Sequence, residues 1–208
     1  MKLVLASNNA KKLVELQSLL AGLPIELVAQ DVLGVSEADE PHATFVENAL
    51  AKARHAARIA SMAAIADDSG LCVDALAGAP GVQSAVFAPA PDASGDREEL
   101  RRAQDGANNA LLLDRLRGVA DRRCRFVSTL VALRHADDPE PLIAFGRWDA
   151  RLLETPRGQG GFGYDPLVWI DELQCSVAEL DAQRKNRHSH RARAAAQMCT
   201  LMRDVWRS

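Results

Sequence analysis

The chain has 208 residues, of which 48% are apolar and 25% charged, and its formal net charge is −3. This composition is that of a globular protein large enough to bury its own core, as one large domain or two closely joined lobes. A negative net charge argues against general affinity for long nucleic acids but allows a local basic pocket for a small phosphorylated ligand. No apolar run reaches the roughly 18 residues of a membrane span, so no membrane contact is expected.

The four cysteines are scattered and include no Cys-x-x-Cys pair: Cys72, Cys124, Cys175 and Cys199. This spacing fits neither a zinc site nor a disulfide framework and indicates reduced thiols. The apolar stretch at the N-terminus is too short for a secretory signal. We therefore expect a cytoplasmic protein.

The first predicted elements are a buried strand at residues 2–6, a polar loop at 7–9 and a helix that begins near Ala10. This arrangement points helix N–H groups and the positive end of the helix dipole at an anion. Lys11 and Lys12 lie in the first turn, where a cation is disfavoured unless an anion binds beside it. The alternative is that the loop only caps the helix and that Lys12 is solvated.

A second strand is predicted at residues 25–29, followed by an acidic loop and a second helix. Thr44 and Glu47 form a capping-box pattern, so the helix is expected to run from there to about residue 61. Lys52 on this helix is either an ordinary exposed charge or a phosphate contact. Glu40, just before the helix, is a candidate carboxylate ligand for a metal ion.

The stretch 64–76 is where the sequence predicts a catalytic site. It reads as a strand at 64–66, a polar turn at 67–70 and a second strand at 71–76. Asp67 and Asp68 repel each other, and Mg²⁺ is the simplest compensation, because it takes one or two protein carboxylates and leaves positions for water and phosphate. One carboxylate could then orient or deprotonate an attacking water. The alternative is an ordinary surface turn, since Asp, Ser and Gly are common turn residues.

The middle of the chain alternates between turns, helices and strands. The pattern predicts, in order, a tight turn at 78–81, a mobile Pro-rich loop at 88–97, a short charged helix at 96–105, a firmer helix at 108–116, a strand at 125–133, a turn at 135–141 and a paired strand at 142–153.

Two later segments could bind a ligand. Residues 157–166 are rich in glycine, and Phe162 in that loop could stack on a flat ring. The alternative is a flexible hinge that Phe162 and Tyr164 anchor. Residues 184–191 are basic and precede a helix capped by Ser189, so Arg191 could donate a fork of hydrogen bonds to a carbonyl or phosphate. The alternative is a solvated basic surface, while the apolar stripe of the helix itself indicates core packing.

Five groups of residues resemble, in the same order along the chain, the motifs of the inosine triphosphate pyrophosphatase family, in its bacterial dITP/XTP pyrophosphatase branch. They are Ser7-Asn-Asn9-Ala-Lys-Lys12; Glu40 with Thr44-Phe-x-Glu-Asn48 and Lys52-Ala53; Ala66-Asp-Asp-Ser-Gly-Leu71 with Gly78-Ala-Pro-Gly81; Gly160-Gly-Phe-Gly-Tyr-Asp-Pro166; and Ser189-His-Arg191. The resemblance covers essentially the whole chain.

The resemblance implies an enzyme that cleaves ITP, dITP and XTP with Mg²⁺ to the monophosphate and pyrophosphate, and so removes deaminated purine nucleotides from the nucleotide pool. It makes Asp68 the general base and a metal ligand, together with Glu40. It assigns substrate contacts to Ser7, Asn8, Asn9, Ala10, Lys11, Lys12, Lys52, Ser69, Phe162, Gly163, Tyr164, Asp165, Lys185, His190 and Arg191. Within that set, Ser7, Asn9, Lys12, Lys52 and Lys185 would hold the triphosphate, Phe162 would stack on the base, and His190 and Arg191 would read the purine 6-oxygen.

Four departures from the family pattern concern affinity and turnover. Asn8 and Ala150 stand where glycine is usual, Cys175 stands where many members have lysine, and the segment 92–106 is longer than usual. None of them falls on the residues predicted for acid–base chemistry or base reading.

The expected fold is α/β, of the ITPase-like (Maf/Ham1) type: one domain over residues 1–208, with an elongated mixed sheet flanked by helices and two lobes around a central cleft. The resemblance further implies a homodimer. Two alternatives stay open: a Maf-like pyrophosphatase for pyrimidine or modified nucleotides, and a non-catalytic nucleotide-sensing module. The sequence leaves open the preference among ITP, dITP and XTP, the number of metal ions, and whether Asp67 is a direct metal ligand.

Overall fold

A computed structural model of the protein describes residues 1–206, which form an α/β fold. The strands are β1 Lys2–Leu5, β2 Glu26–Ala29, β3 Ala64–Val73, β4 Arg123–Leu133, β5 Leu142–Leu152, β6 Val168–Ile170 and β7 Cys175–Ser176. The helices are α1 Ala10–Leu19, α2 Phe45–Ala60, α3 Arg97–Arg115, α4 Ala182–His188 and α5 His190–Leu201, and residues 202–206 continue as a wider π-helical turn. Along this part of the chain, no helix combines the length and apolar character needed to cross a bilayer.

The seven strands form one mixed sheet in the order β2-β1-β3-β4-β5-β6-β7. Strand β1 is parallel to β2 and to β3, with Leu3 opposite Leu27 and Val4 opposite Ala64. Strand β6 is antiparallel to both β5 and β7. Helix α1 connects β1 to β2, as parallel neighbours require a crossover rather than a tight hairpin. The predicted mixed sheet with flanking helices is therefore confirmed.

The chain divides into two compact units. The first comprises Met1–Ser69, Ser128–Arg147 and the C-terminal segment that begins at His188; the second comprises Gly70–Val127 and Trp148–Arg187. Two units agree with the expectation of two lobes. The single domain over residues 1–208 and the cleft between the lobes stay predictions.

Both faces of the sheet are buried in the first unit. Successive side chains of a strand point to opposite sides, so residues of one strand pack on both faces. Leu3 and Leu5 of β1 pack with Leu16 of α1 and Met198 of α5. On the other face, Val4 packs with a small-residue surface of α2, formed by Ala49, Ala53, Ala56 and Ala57. The alanine face of α2 and the expected apolar stripe of α5 are thus both core surfaces.

Helix α5 lies directly against β5 at Gly146. A Cβ atom on Gly146 would overlap the carbonyl oxygen of His190 and would lie 2.7 Å from the backbone nitrogen of Ala194. Glycine is therefore required for this close approach, and the approach fixes the first turn of α5, which carries His190 and Arg191. No local sequence pattern marks Gly146 as a contact point.

The turn predicted at residues 67–70 is wrong, because β3 runs without interruption from Ala64 to Val73. Asp and Ser favour turns when their side chains bond to nearby backbone groups. Here Asp67 and Asp68 bond to side chains distant in the sequence, Ser128 and Lys52, and the backbone stays extended. The second predicted strand also ends earlier than residue 76, at Val73.

One helix prediction also needs correction. The separate helices at 96–105 and 108–116 are one helix, α3, which begins after a capping box of Asp96 and Glu99. Within this continuous helix, the side chains of Asp105 and Asn109 bond to the backbone of Gly163 in the glycine-rich loop. Residues 184–188 of the basic segment before α5 lie in a further helix, α4.

Candidate active site

Asp67 and Asp68 lie next to each other in the middle of β3 and are only 1% and 5% exposed. As consecutive strand residues, they point to opposite faces of the sheet. Each carboxylate therefore has its own set of partners, and the mutual repulsion expected of two carboxylates in one turn is reduced. The candidate active site is built on these two sets, which both lie in the first unit.

Asp67 is at the centre of a buried polar network. Its Oδ1 accepts a hydrogen bond from Ser128 Oγ at 2.7 Å, and its Oδ2 accepts bonds from Ser69 Oγ at 3.0 Å and from Arg191 Nε and Nη2 at 3.2 and 3.1 Å. Lys12 Nζ is 3.0 Å from the same Oδ2. Burial alone would raise the pKa of Asp67, but the charges of Arg191 and Lys12 and the Ser128 bond hold it well below its usual value. Asp67 is thus an ionised carboxylate with partners on both oxygens.

Asp68 is paired with one lysine. Lys52 Nζ lies 2.7 Å from Asp68 Oδ1 and 3.0 Å from Glu40 Oε2, so a single ammonium group joins two carboxylates. The other oxygen of Asp68, Oδ2, is buried and has no hydrogen-bond partner among residues 1–206. Burial raises the pKa of Asp68 to about 6, even though Lys52 acts in the opposite direction. For Glu40, the effect of burial is outweighed by Lys52, which lowers its pKa.

The Glu40 and Asp68 pair fits a magnesium ion. One ammonium charge faces two carboxylates, and an orphaned buried oxygen remains on Asp68. Within the described part of the chain, no group of three or more His, Cys, Asp or Glu residues could hold a metal. Mg²⁺ typically uses one or two protein carboxylates and completes its shell with water and substrate phosphates, so Glu40 and Asp68 would be its protein ligands.

In the Mg²⁺-free protein, we expect Asp68 to titrate near pH 6 rather than near 3.8, its ordinary value. Protonation in the folded state then contributes stability that is present below pH 3.8 and lost as the pH rises through about 6. Carboxyl ¹³C NMR shifts measure this midpoint, with Asp68→Asn used to assign the signal. Added Mg²⁺ should lower the midpoint, because a metal binds the ionised form.

Asp67 supplies the internal comparison for this titration. Its carboxyl signal should stay constant over the same pH range, because its pKa lies well below the usual value. An Asp68 midpoint below about pH 4.5 would contradict the raised pKa derived from burial.

The polar loop before α1 caps the helix, as one alternative predicted. Asn9 Oδ1 accepts from the backbone nitrogens of Lys11 and Lys12 at 3.0 and 3.2 Å, and Ser7 Oγ accepts from Asn9 N at 3.1 Å. Asn8 Nδ2 donates to Glu37 Oε1 at 2.8 Å. Ala10 is the first residue of the helix. Lys12, in the first turn of the capped helix, contacts Asp67. The positive end of α1 therefore lies beside the Asp67 network.

The alternative of a solvated Lys12 is wrong. Burial lowers its pKa, and the nearby charges of Arg191 and Lys52 add to this effect, against the opposing influence of Asp67. Two neighbouring cations therefore disfavour the charge of Lys12, while ion pairs with carboxylates raise the pKa of Lys52 and of Arg191. The role of Lys12 as a phosphate contact at the start of α1 stays a prediction.

Arg191 is a buried member of the same network, only 2% exposed. Besides Asp67, its guanidinium donates through Nη1 to Glu15 of α1 and through Nη2 to Ser69 Oγ at 3.0 Å. Ser189 caps α5 by accepting from Ala192 N, as expected. His190 is also buried. The solvated alternative is thus wrong for this end of the basic segment, and the contact of His190 and Arg191 with a purine oxygen stays a prediction.

The glycine-rich loop lies in the second unit, where it forms its own cluster. Lys185 Nζ is 2.8 Å from Asp165 Oδ2 and 4.6 Å from the centroid of the half-buried Phe162 ring. The Phe162 N–H donates to the same Asp165 oxygen at 3.0 Å. Tyr164 is buried in the core, and its hydroxyl donates to the carbonyl of Ser84 at 2.9 Å. Tyr164 therefore anchors the loop, while Phe162 keeps an exposed part and Lys185 lies beside it.

Several residues of these networks were missed by the sequence analysis. Glu15 follows Lys12 by one helical turn, a spacing that places both on one face of α1. Ser128 interrupts the apolar run of β4, which is the signal that could have identified it. Asp105 and Asn109 are four residues apart, a spacing that likewise places both on one face of α3. No local pattern shows which distant group each of them contacts.

A model of the Ham1 family matches residues 3–201 of the chain. The chain is 68% identical over 206 residues to a dITP/XTP pyrophosphatase of Methylibium petroleiphilum, with 99% of both chains covered. It is 64% identical over 209 residues to a dITP/XTP pyrophosphatase of Leptothrix cholodnii, again with 99% coverage of both.

Among solved structures, the fold is similar to that of a HAM1 protein from Coxiella burnetii. The TM-score is 0.86 at 38% identity, covering 99% of this chain and 100% of that one. The Ham1 protein of Staphylococcus aureus gives a TM-score of 0.81 at 30% identity, with 98% and 99% covered. These similarities extend over nearly the whole of each chain and so concern the complete fold, not one motif.

Proposed function

Because the chain belongs to the Ham1 family, and its relatives at 68% and 64% identity are dITP/XTP pyrophosphatases, we propose that it hydrolyses dITP, XTP and ITP. The products are the nucleoside monophosphate and pyrophosphate. The reaction removes deaminated purine nucleotides from the nucleotide pool.

One observation carries the chemical part of this proposal. Asp68 has a buried, unpartnered carboxylate oxygen and a pKa raised to about 6, and its other oxygen is held by Lys52. A general base is most effective when its pKa lies near the working pH, since it is then ionised and still basic enough to accept a proton. Asp68 therefore has the environment of a base rather than that of a surface carboxylate.

In the proposed reaction, Asp68 orients a water molecule and accepts its proton as the water oxygen attacks the α-phosphorus. The bond from that phosphorus to the bridging oxygen breaks, and pyrophosphate leaves. Lys12 and Lys52 offset the charge that develops on the leaving group. Glu40 and Asp68 would hold Mg²⁺, which when bound neutralises phosphate charge and polarises a phosphoryl oxygen.

The proposed preference for deaminated purines rests on donor groups. Arg191 and His190 would face the 6-keto oxygen of the base, and Phe162 would stack on the ring. Adenine presents an amino donor at the same position, so a site built from donors would lose a buried hydrogen bond at a cost of about 1–3 kcal/mol. The assigned roles of Ser7, Asn9 and Lys185 at the triphosphate belong to this proposal too.

Magnesium dependence, a homodimeric state and a cytoplasmic location complete the proposal. The carboxylate pair at Lys52 supports magnesium, and the family resemblance supports the dimer. All four cysteines are free thiols, which is consistent with a reducing compartment.

The informative test is the identity of the product. With Mg²⁺ present, we expect ITP, dITP and XTP to release pyrophosphate rather than orthophosphate, with a kcat/KM at least about tenfold above that for ATP. Coupled assays with and without inorganic pyrophosphatase distinguish the two products. A higher kcat/KM for dTTP or dUTP would favour the Maf-like alternative. Tight nucleotide binding without turnover would favour the sensing module.

A further inference from the structure

Helix α3 forms hydrogen bonds with both backbone groups, the N–H and the carbonyl, of one residue in the glycine-rich loop. Asp105 Oδ2 accepts a hydrogen bond from the Gly163 N–H at 2.8 Å, and Asn109 Nδ2 donates to the Gly163 carbonyl at 3.0 Å. Asp105 and Asn109 are four residues apart and so lie on the same face of α3. A single helix face thus acts on the backbone of Gly163 as a clamp of one acceptor and one donor.

Gly163 directly follows Phe162, so this clamp limits where the aromatic ring can point. Gly163 has a left-handed backbone with φ of +62°, which joins the ring-bearing residue to the buried Tyr164. Asp165 N bonds back to the Phe162 carbonyl at 3.3 Å, closing a tight turn. Turn and clamp together define the backbone of Phe162 on its C-terminal side.

The same helix also supports the anchor of this turn. Asn108 Nδ2 donates to the carbonyl oxygens of Ser84 and Ala85, at 3.2 and 3.1 Å. The Ser84 carbonyl is also the acceptor for the Tyr164 hydroxyl. Burial and the negative charge of Asp105 raise the pKa of Tyr164, which keeps the hydroxyl protonated as a donor. Helix α3 therefore reaches the loop through Gly163 and, by way of Ser84, through Tyr164.

We propose that Asp105 and Asn109 are positioning residues for base recognition: through Gly163, they hold the Phe162 ring in the orientation that stacks on the purine. This inference rests on the proposed function, because it takes Phe162 as the stacking residue. Neither residue need touch the nucleotide. Their effect is expected on nucleotide affinity, and only through Phe162.

The experiment compares Asp105→Ala and Asn109→Ala with the wild type, using KM for ITP and the Kd for inosine monophosphate from calorimetry. We expect each variant to raise both constants about tenfold, within the range that base stacking on an aromatic ring contributes, while kcat changes less than about threefold. Asp105→Asn keeps an acceptor oxygen and should recover most of the affinity. The matched control is Asp114→Ala on the same helix, since Asp114 is exposed and pairs with Arg117.

A double-mutant cycle separates positioning from a merely structural role. In a Phe162→Leu background, Asp105→Ala should change the Kd by less than about twofold, because the stacking it supports is already lost. An unchanged Kd in the single variants, or an equal factor in both backgrounds, would overturn the inference.

Measurements on the wild-type protein distinguish a failure of this inference from a failure of the proposed function. If it does not hydrolyse ITP but binds inosine monophosphate, the function fails and the cycle still tests the positioning role. If it binds no purine nucleotide, both are overturned.

Discussion

Asp68→Asn is expected to lower kcat for ITP hydrolysis by about 10²–10⁴-fold, the range that general-base catalysis contributes. The substitution removes the group that accepts the proton of the attacking water and keeps the size of the side chain. An amide oxygen can still accept the hydrogen bond that Lys52 donates at 2.7 Å to Asp68 Oδ1. The fold should therefore persist, and the midpoint of thermal unfolding should stay within a few degrees of the wild type.

The reason for an intact fold is electrostatic. Burial disfavours the ionised form of Asp68, so a neutral side chain of the same shape removes an unfavourable charge rather than a stabilising one. Steady-state kinetics with pyrophosphate detection measure kcat, and thermal unfolding measures stability. The matched control is Asp137→Asn, at an exposed turn position. If Asp68→Asn retained more than about a tenth of the wild-type kcat, Asp68 would not be the base.

Arg191→Met is expected to lower the free energy of unfolding by about 3–5 kcal/mol, the usual cost of removing one partner of a buried ion pair. The guanidinium of Arg191 contacts Asp67 through Nε and Nη2 and Glu15 through Nη1. Methionine fills most of the volume but leaves the carboxylate of Asp67, which is 1% exposed, with Lys12 as its remaining cation. Urea denaturation at neutral pH measures the loss.

Two further variants identify the cause of that loss. Arg193→Met, two residues along α5, removes an exposed arginine that donates to the Arg147 carbonyl at 2.7 Å, and should cost less than about 1 kcal/mol. Adding Asp67→Asn to Arg191→Met should restore part of the stability, because it removes the unpaired buried charge. Equal losses for the Arg191 and Arg193 variants would show that the buried network is not what stabilises this region.

The clearest difference between sequence and structure lies in β3. Two aspartates followed by Ser and Gly predict a turn by local propensity, yet the strand continues through all of them. Burial with partners on both faces overrides that propensity, since β propensity depends on context more than on the residue itself. Consequently the two carboxylates do not share one pocket. Asp67 organises Arg191 and Lys12, and Asp68 keeps an oxygen available.

By itself, the sequence determined what depends on short-range order. The cap on α1, the capping box before α2 and the apolar stripe of α5 all follow from neighbours a few positions apart. They indicate an α/β fold, while the chemistry of a nucleotide pyrophosphatase was implied by the resemblance of five ordered motifs to a known family. Only the tertiary structure decided the partners: Asp67 with Arg191, Glu40 with Asp68 through Lys52, and Gly163 with α3. The physical reason is that packing sets contacts between residues far apart along the chain, and no local periodicity records which strand or helix will lie opposite.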